Sequence, residues 1–285
     1  MSKKNIPSKK ILPAKEKKEE KSSQLVAALY FLPTEQILRG FFDKVRDSLS
    51  DYKGEHIYVV IKSIGGDAYT AHRIMRLIRT KFEKITFVIK DFCYSSATLM
   101  SLGADEILVS PEGYIGPIDK PLEHDSGDMI SALDVTQCVT SIHSLTSICA
   151  KNAYSDIRNE FTDTISKKDA LEISWKSAVD LMSPVIQKID PILLQKAHRD
   201  LRIGMLIGLE LMKPHTPSLK KRLVVVSRLV NNYPSHGYAI FREEMRAIGL
   251  NANPLEKCDH EKHLMMHYNK PMGEVFALKN IYAAK

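Results

Sequence analysis

Residues 91–107, "DFCYSSATLMSLGADEI", read as the end of one buried strand, a short helix and the start of another strand. The residues before them, "ITFVIKDF" from Ile85, form a β-branched and aromatic run of strand length with no polar alternation, the pattern of a strand covered on both faces. "SATLMSLGA" then has helical spacing and stops at Gly103, and "DEILVS" resumes strand character. Working outward, "HIYVVIKS" from His56 is an earlier buried strand. It ends at Gly65-Gly66, and Asp67 is placed to cap a helix from about Ala68 to Arg79. "GYIGPID", residues 113–119, is a further strand or a tight turn. Strand, Gly turn, helix, strand, helix, strand is the alternation of an α/β layer structure.

The flanks are helical in pattern. "TEQILRGFFDKVRDSL" from Thr34 is amphipathic, with Thr34 as the expected cap. Past Asp128 an apolar helical pattern runs from Met129 to about Lys151, and polar helices fill 155–212, with breaks expected at Pro184 and Pro191. "SLKKRLVVVSRLVNN" is another helix, stopping near Tyr233-Pro234; "FREEMRAIGL" is a short one ended by Gly249.

The 285 residues, 44% of them hydrophobic, suffice for a large buried core. The formal charge of +7 is concentrated at one end: residues 1–21 hold eight lysines against three glutamates. The body is nearly neutral, so no nucleic-acid-binding surface is expected. Residues 1–24 form a basic tail expected to be disordered, with weak membrane-surface contact through its lysines as its one possible use. The apolar run Leu25–Leu32 is eight residues, against roughly 20 for a bilayer span, and no small-residue cleavage site follows. Cys93, Cys138, Cys149 and Cys258 are irregularly spaced and make no disulfide framework. A cytoplasmic protein is expected.

The chemistry would come from two strand ends. An acyl-transfer enzyme needs a nucleophilic hydroxyl, a base, and backbone N–H groups aimed at the developing oxyanion. A Gly pair can turn its amides toward a substrate, and a serine opening a helix has free N–H groups beside it. Serine is equally a common helix cap, and Gly-Gly a common turn. Both readings of Ser95 and Ser96 stand on spacing alone.

Three stretches, in order and spacing, resemble the Clp protease and crotonase superfamily, and within it the signal peptide peptidase A branch and the serine dehydrogenase proteinase family. They are Ser63-Ile64-Gly65-Gly66, Ser95-Ser96-Ala97-Thr98 followed by Leu102-Gly103-Ala104-Asp105-Glu106-Ile107, and Gly116-Pro117-Ile118-Asp119. "SHGYAIFREEMRAIGL", residues 235–250, is similar to a late family motif. The resemblance implies a superhelix of repeated β-β-α units over residues 25–285, with an α/β core at about 34–128 and a mostly helical remainder, 129–285, as a C-terminal extension. It also implies a homo-oligomer, and a serine peptidase acting on a peptide or protein substrate without cofactor or metal.

Carried over residue by residue, the resemblance makes Ser95 the nucleophile, the amides of Gly65 and Ser96 the oxyanion donors, and Gly66 part of the substrate-binding turn. The chain departs from the family at Ile64 (a proline there), Tyr94 (a lysine), Ala97 (a glycine) and Gly237 (an aspartate). The base stays open among His236, Asp119 and Lys120, with Lys151 a more distant candidate. Two alternatives accompany the peptidase: an inactive oligomeric scaffold or partner-binding protein, and an acyl-CoA enzyme using the same oxyanion amides. "CDHEKHLMMH", residues 258–267, spaces His263 and His267 like two metal ligands, but Leu264 stands where the metalloprotease pattern needs Glu.

Overall fold

The computed structural model describes residues 26–32, 36–119, 121–123, 127, 129–268 and 274–278. The basic tail, Thr34 and Lys120 lie outside them. The described chain runs β1 (Val26–Leu32), α1 (Arg39–Ser48), β2 (Gly54–Ser63), α2 (Ala68–Lys81), β3 (Phe82–Cys93), α3 (Ser96–Ser101), β4 (Glu106–Val109) and β5 (Tyr114–Ile115). A small β6 (Pro121–Glu123) and β7 (Met129–Ser131) hairpin follows. Then come α4 (Ala132–Glu160), α5 (Lys167–Ile186), α6 (Pro191–Leu211) and α7 (Leu219–Asn231). The chain closes with β8 (Ile240–Phe241), α8 (Arg242–Ile248), β9 (Ala252–Pro254), α9 (Glu261–Met266) and β10 (Glu274–Leu278). This is a mixed α/β fold. No helix among the described residues is long and apolar enough to cross a membrane.

The main sheet has the order β10-β1-β2-β3-β4-β9. Neighbours from β1 to β9 are parallel, and β10 joins β1 antiparallel. β5 pairs in parallel with the last residues of β3, and β8 pairs antiparallel with β5. Both sheet faces are covered, which is why the strands read as continuous apolar runs. Leu29, Phe31, Val59, Ile61, Phe87 and Ile89 face the helical side; Tyr30, Val60, Val88 and Leu108 face a smaller core with Leu255, Leu264 and Tyr268. The apolar run is thus, over Val26–Leu32, an interior strand, with Ala27 to Leu32 buried between β2 and β10.

Several boundaries differ from the sequence pattern; the helical run expected from Met129 to about Lys151, for one, opens as strand β7, and α4 spans Ala132–Glu160. α1 begins at Arg39 rather than near Thr34, and its cap position, Leu38, supplies no side-chain bond. The residue before that cap is used otherwise. Ile37 N–H donates to Gly65 O, and Asp67 N–H to Ile37 O, both at 2.7 Å, clamping the Gly turn. Pro184 does not break a helix where expected; it sits inside α5, two residues before the last, Ile186, and costs the helix the one bond its N–H would have made to the carbonyl four residues upstream. Pro191 opens α6 at the first turn, the position its fixed φ favours. Finally, the segment expected to be mostly helical also returns β8, β9 and β10 to the sheet.

Candidate active site

The ends of β2 and β3 lie side by side, which brings the two Gly–Ser stretches into contact. Tyr94 N–H donates to Ser63 O at 3.0 Å. Gly65, at φ +92°, packs directly against the serine turn: a Cβ there would lie 2.6 Å from Tyr94 O and 2.7 Å from Ser95 Cβ. Only glycine admits that approach. The Ser96 hydroxyl donates to Gly66 O, so one serine ties the other's turn to the glycine turn.

Ser95 itself is strained. Its φ of +51° and ψ of −118° are those of the first central position in a type II′ turn, a place for glycine. Ala97 N–H closes that turn onto Tyr94 O at 2.9 Å. Among the described residues, Ser95 is the one non-glycine with positive φ. A serine held in this way at a sharp strand-to-helix turn has its hydroxyl pushed out of the helix it precedes. Ser96 is the first residue of α3, where an N–H has no acceptor within the helix.

Asp119 and His236 arrive from the other side. β5 and β8 pair antiparallel, with Ile115 opposite Ile240. Asp119 lies four residues after the first and His236 four before the second, so the same register carried onward sets them face to face. His236 Nδ1 and Asp119 Oδ1 are 3.0 Å apart. Ser131, the side-chain cap of α4, donates to Asp119 Oδ2 at 2.7 Å. Asp119 is 2% exposed. Burial works against its charged form, but the hydrogen bonds from His236 and Ser131 outweigh it and hold its carboxyl below the ordinary value of 3.8. With Nδ1 carrying the proton shared with the carboxylate, Nε2 keeps its lone pair for another donor.

Ser95 and His236 both line one cleft of about 440 Å³, together with Gly66, Ser96 and the apolar side chains of Leu99, Ile118 and Ile203. Such an arrangement can activate a hydroxyl beside a surface that holds an acyl group. The sequence alternatives His236 and Asp119 prove to be hydrogen-bonded partners. Gly65 is placed differently from its expected role: its N–H donates to Ser63 Oγ at 3.1 Å, and it is Gly66 that lines the cleft. Lys151 is exposed on α4 and is not among the residues lining the cleft. Gly237 faces open space, with nothing within 4 Å of an added Cβ. Ser131 went unrecognised, although its place before a helical run marks it as a cap. Asp200, also in the cleft, left no signal in the sequence.

Two other features hold none of these residues. A larger cleft, about 740 Å³, opens on the opposite sheet face beside Tyr58, Leu108, Arg246 and Lys257. Two of the three histidines of 258–267 pack on aromatic rings, His260 against Tyr58 and His267 against Tyr30.

No protein-family model matches the chain, and no curated protein matches it in sequence. Among solved structures, it is similar to the 1510-N membrane-bound stomatin-specific protease in complex with a substrate peptide. That likeness has a TM-score of 0.32 and 20% identity, over 53% of this chain and 73% of that one. A second structure of that protease gives a TM-score of 0.31 and 20% identity, over 52% and 74%.

Proposed function

We propose that the chain is a serine peptidase with the fold of the Clp protease and crotonase superfamily, acting through Ser95, His236 and Asp119. The observation that carries this reading is the Asp119–His236 hydrogen bond beside a cleft that the strained Ser95 also lines. In the proposed reaction His236 Nε2 takes the Ser95 hydroxyl proton as Oγ adds to a peptide carbonyl. Asp119 stays ionised and steadies the imidazolium. That imidazolium then protonates the departing amine, leaving an acyl-enzyme that water hydrolyses by the same base. The oxyanion would be held by the Ser96 amide and, because the Gly65 amide is engaged with Ser63, by that of Gly66.

A serine-reactive fluorophosphonate probe tests the reading. Labelling of the wild type that disappears in Ser95→Ala, and that slows at least about a hundredfold in His236→Gln, is the expected result. A folded protein that takes up no probe would sink it, and would leave the inactive scaffold.

Self-association belongs to the same proposal. The α4–α5 hairpin exposes Leu145, Ile148, Trp175, Val179 and Leu181, the last 65% exposed. Clustered apolar exposure of that kind suits a contact with another copy. A cytoplasmic location fits the four cysteines, all of them free thiols.

A further inference from the structure

Ser131 stands where the β6–β7 hairpin gives way to α4, and its hydroxyl is engaged on both sides. Its Oγ accepts from the N–H of Leu133 at 3.0 Å, as the side-chain cap of α4. Its O–H donates to Asp119 Oδ2 at 2.7 Å. The accepted N–H occupies a lone pair of the hydroxyl and leaves its one proton for the carboxylate. Chain order brings the two together. In the hairpin Ser131 lies opposite Pro121, two residues after Asp119. Ala132 and Leu133, both buried, hold the first turn of α4 in the core, so the cap has little freedom to swing away. The two oxygens of Asp119 are thus divided: Oδ2 faces Ser131, and Oδ1 faces His236 Nδ1 at 3.0 Å.

We propose, resting on the peptidase reading, that Ser131 is a positioning residue. It locks the rotation of the Asp119 carboxylate so that Oδ1 stays aimed at His236 and holds the Nδ1–H tautomer, which leaves Nε2 to take the Ser95 proton. The last torsion of an aspartate is broad and two-fold, so it gives little resistance of its own. At 2% exposure Asp119 has almost no contact with bulk water that could satisfy Oδ2 in place of the serine. Without this donor the carboxylate would turn toward another one, and the imidazole would lose the bond that selects its tautomer.

The test separates capping from positioning. Glycine caps a helix almost as well as serine but brings no hydroxyl, so full-length Ser131→Gly should keep its helix signal in circular dichroism. Fluorophosphonate labelling of Ser95 should then have a maximal rate at least about tenfold lower, as expected for one lost bond to a charged group. The probe concentration giving half that rate should not move. Ser131→Thr, which returns the hydroxyl, should restore the rate. In an Asp119→Asn background the same Ser131→Gly change should cost at most about twofold, because the serine acts only through that carboxylate. An undiminished rate in Ser131→Gly, or the full loss repeated in Asp119→Asn, would overturn the proposal. A second readout needs no hydrolase. Nitrogen NMR of protein labelled at its histidines, with the His236 signal identified by its loss in His236→Gln, reads the tautomer of the neutral ring. The wild type should hold Nδ1–H alone and Ser131→Gly a mixture. One tautomer in both proteins, or a mixture already in the wild type, would overturn the positioning role. A wild type that takes up no probe yet shows this tautomer change removes only the peptidase; labelling that Ser131→Gly leaves intact removes only the positioning residue.

Discussion

Ser95 holds a backbone conformation that costs an L-residue on the order of 1–3 kcal/mol and that glycine adopts freely. Ser95→Ala removes the hydroxyl and keeps the strain, whereas Ser95→Gly removes both. Urea unfolding should therefore find the glycine variant more stable than the alanine variant by about 1 kcal/mol, after the entropy of the freer unfolded chain is subtracted. Equal midpoints would mean that the turn relaxes and stores nothing. Asp119 makes a second residue-scale prediction. Asp119→Asn keeps the shape but loses the charge opposite the imidazolium, and kcat should fall at least about a hundredfold. Because its carboxyl is held below 3.8 in the fold, its contribution to stability is whole above that value. It is lost as the pH falls through the lower folded value. The gap in urea midpoint between wild type and Asp119→Asn should close as the pH falls through that acid range.

The decisive local unit among the elements is the turn between β2 and α2. Gly66, at φ +146°, sits on the backbone of Ile37: a Cβ would lie 2.3 Å from its nitrogen and 2.6 Å from its oxygen. Neither atom can rotate away as a side chain could. Gly66→Ala should cost at least about 2 kcal/mol, read as a lowered urea midpoint, and should weaken probe labelling of Ser95 through the shared Ser96–Gly66 bond. An unchanged midpoint would mean that residues 36–38 can move aside. Much of this scale was legible in the sequence. Asp67 caps α2 through Thr70, Gly249 ends α8 in the left-handed region, and Ser95 falls at a strand-to-helix turn, all from short-range spacing. The start of α1 was not legible, because its periodicity continues back through Ile37 while the backbone there is taken by Gly65 and Asp67.

At the scale of the whole molecule, the long α4–α5 hairpin sets the expected assembly. α4 has 29 residues and α5 has 20, yet α4 buries only Ala132, Leu133, Ile142 and Ala150, and α5 only Ala170, Ser174 and Ala178. Five of these seven buried residues are small, while large apolar side chains such as Leu145, Ile148, Trp175 and Leu181 stand exposed, which is not what a hairpin in water requires. Light scattering on the purified chain should give a mass of two or more copies. Trp175→Glu together with Leu181→Glu should lower that mass without loss of helix signal in circular dichroism. A wild-type monomer would remove self-association from the proposed function.

What the sequence by itself determined is local: alternating strands and helices, the Gly turn, the serine at the helix start, and strands apolar enough to be buried on both faces. Those follow from side-chain periodicity and from φ/ψ limits that act within a few residues. The partnership of Asp119 with His236, 117 residues apart in the chain, was decided only by the tertiary structure. β8 returns antiparallel to β5, and that register places the two side chains opposite one another. Gly237 offers no carboxylate beside His236, yet that histidine has one, supplied across space by Asp119. Pairing of this kind depends on which strands meet, and strand register is set by the packing of the whole sheet rather than by the residues beside either partner.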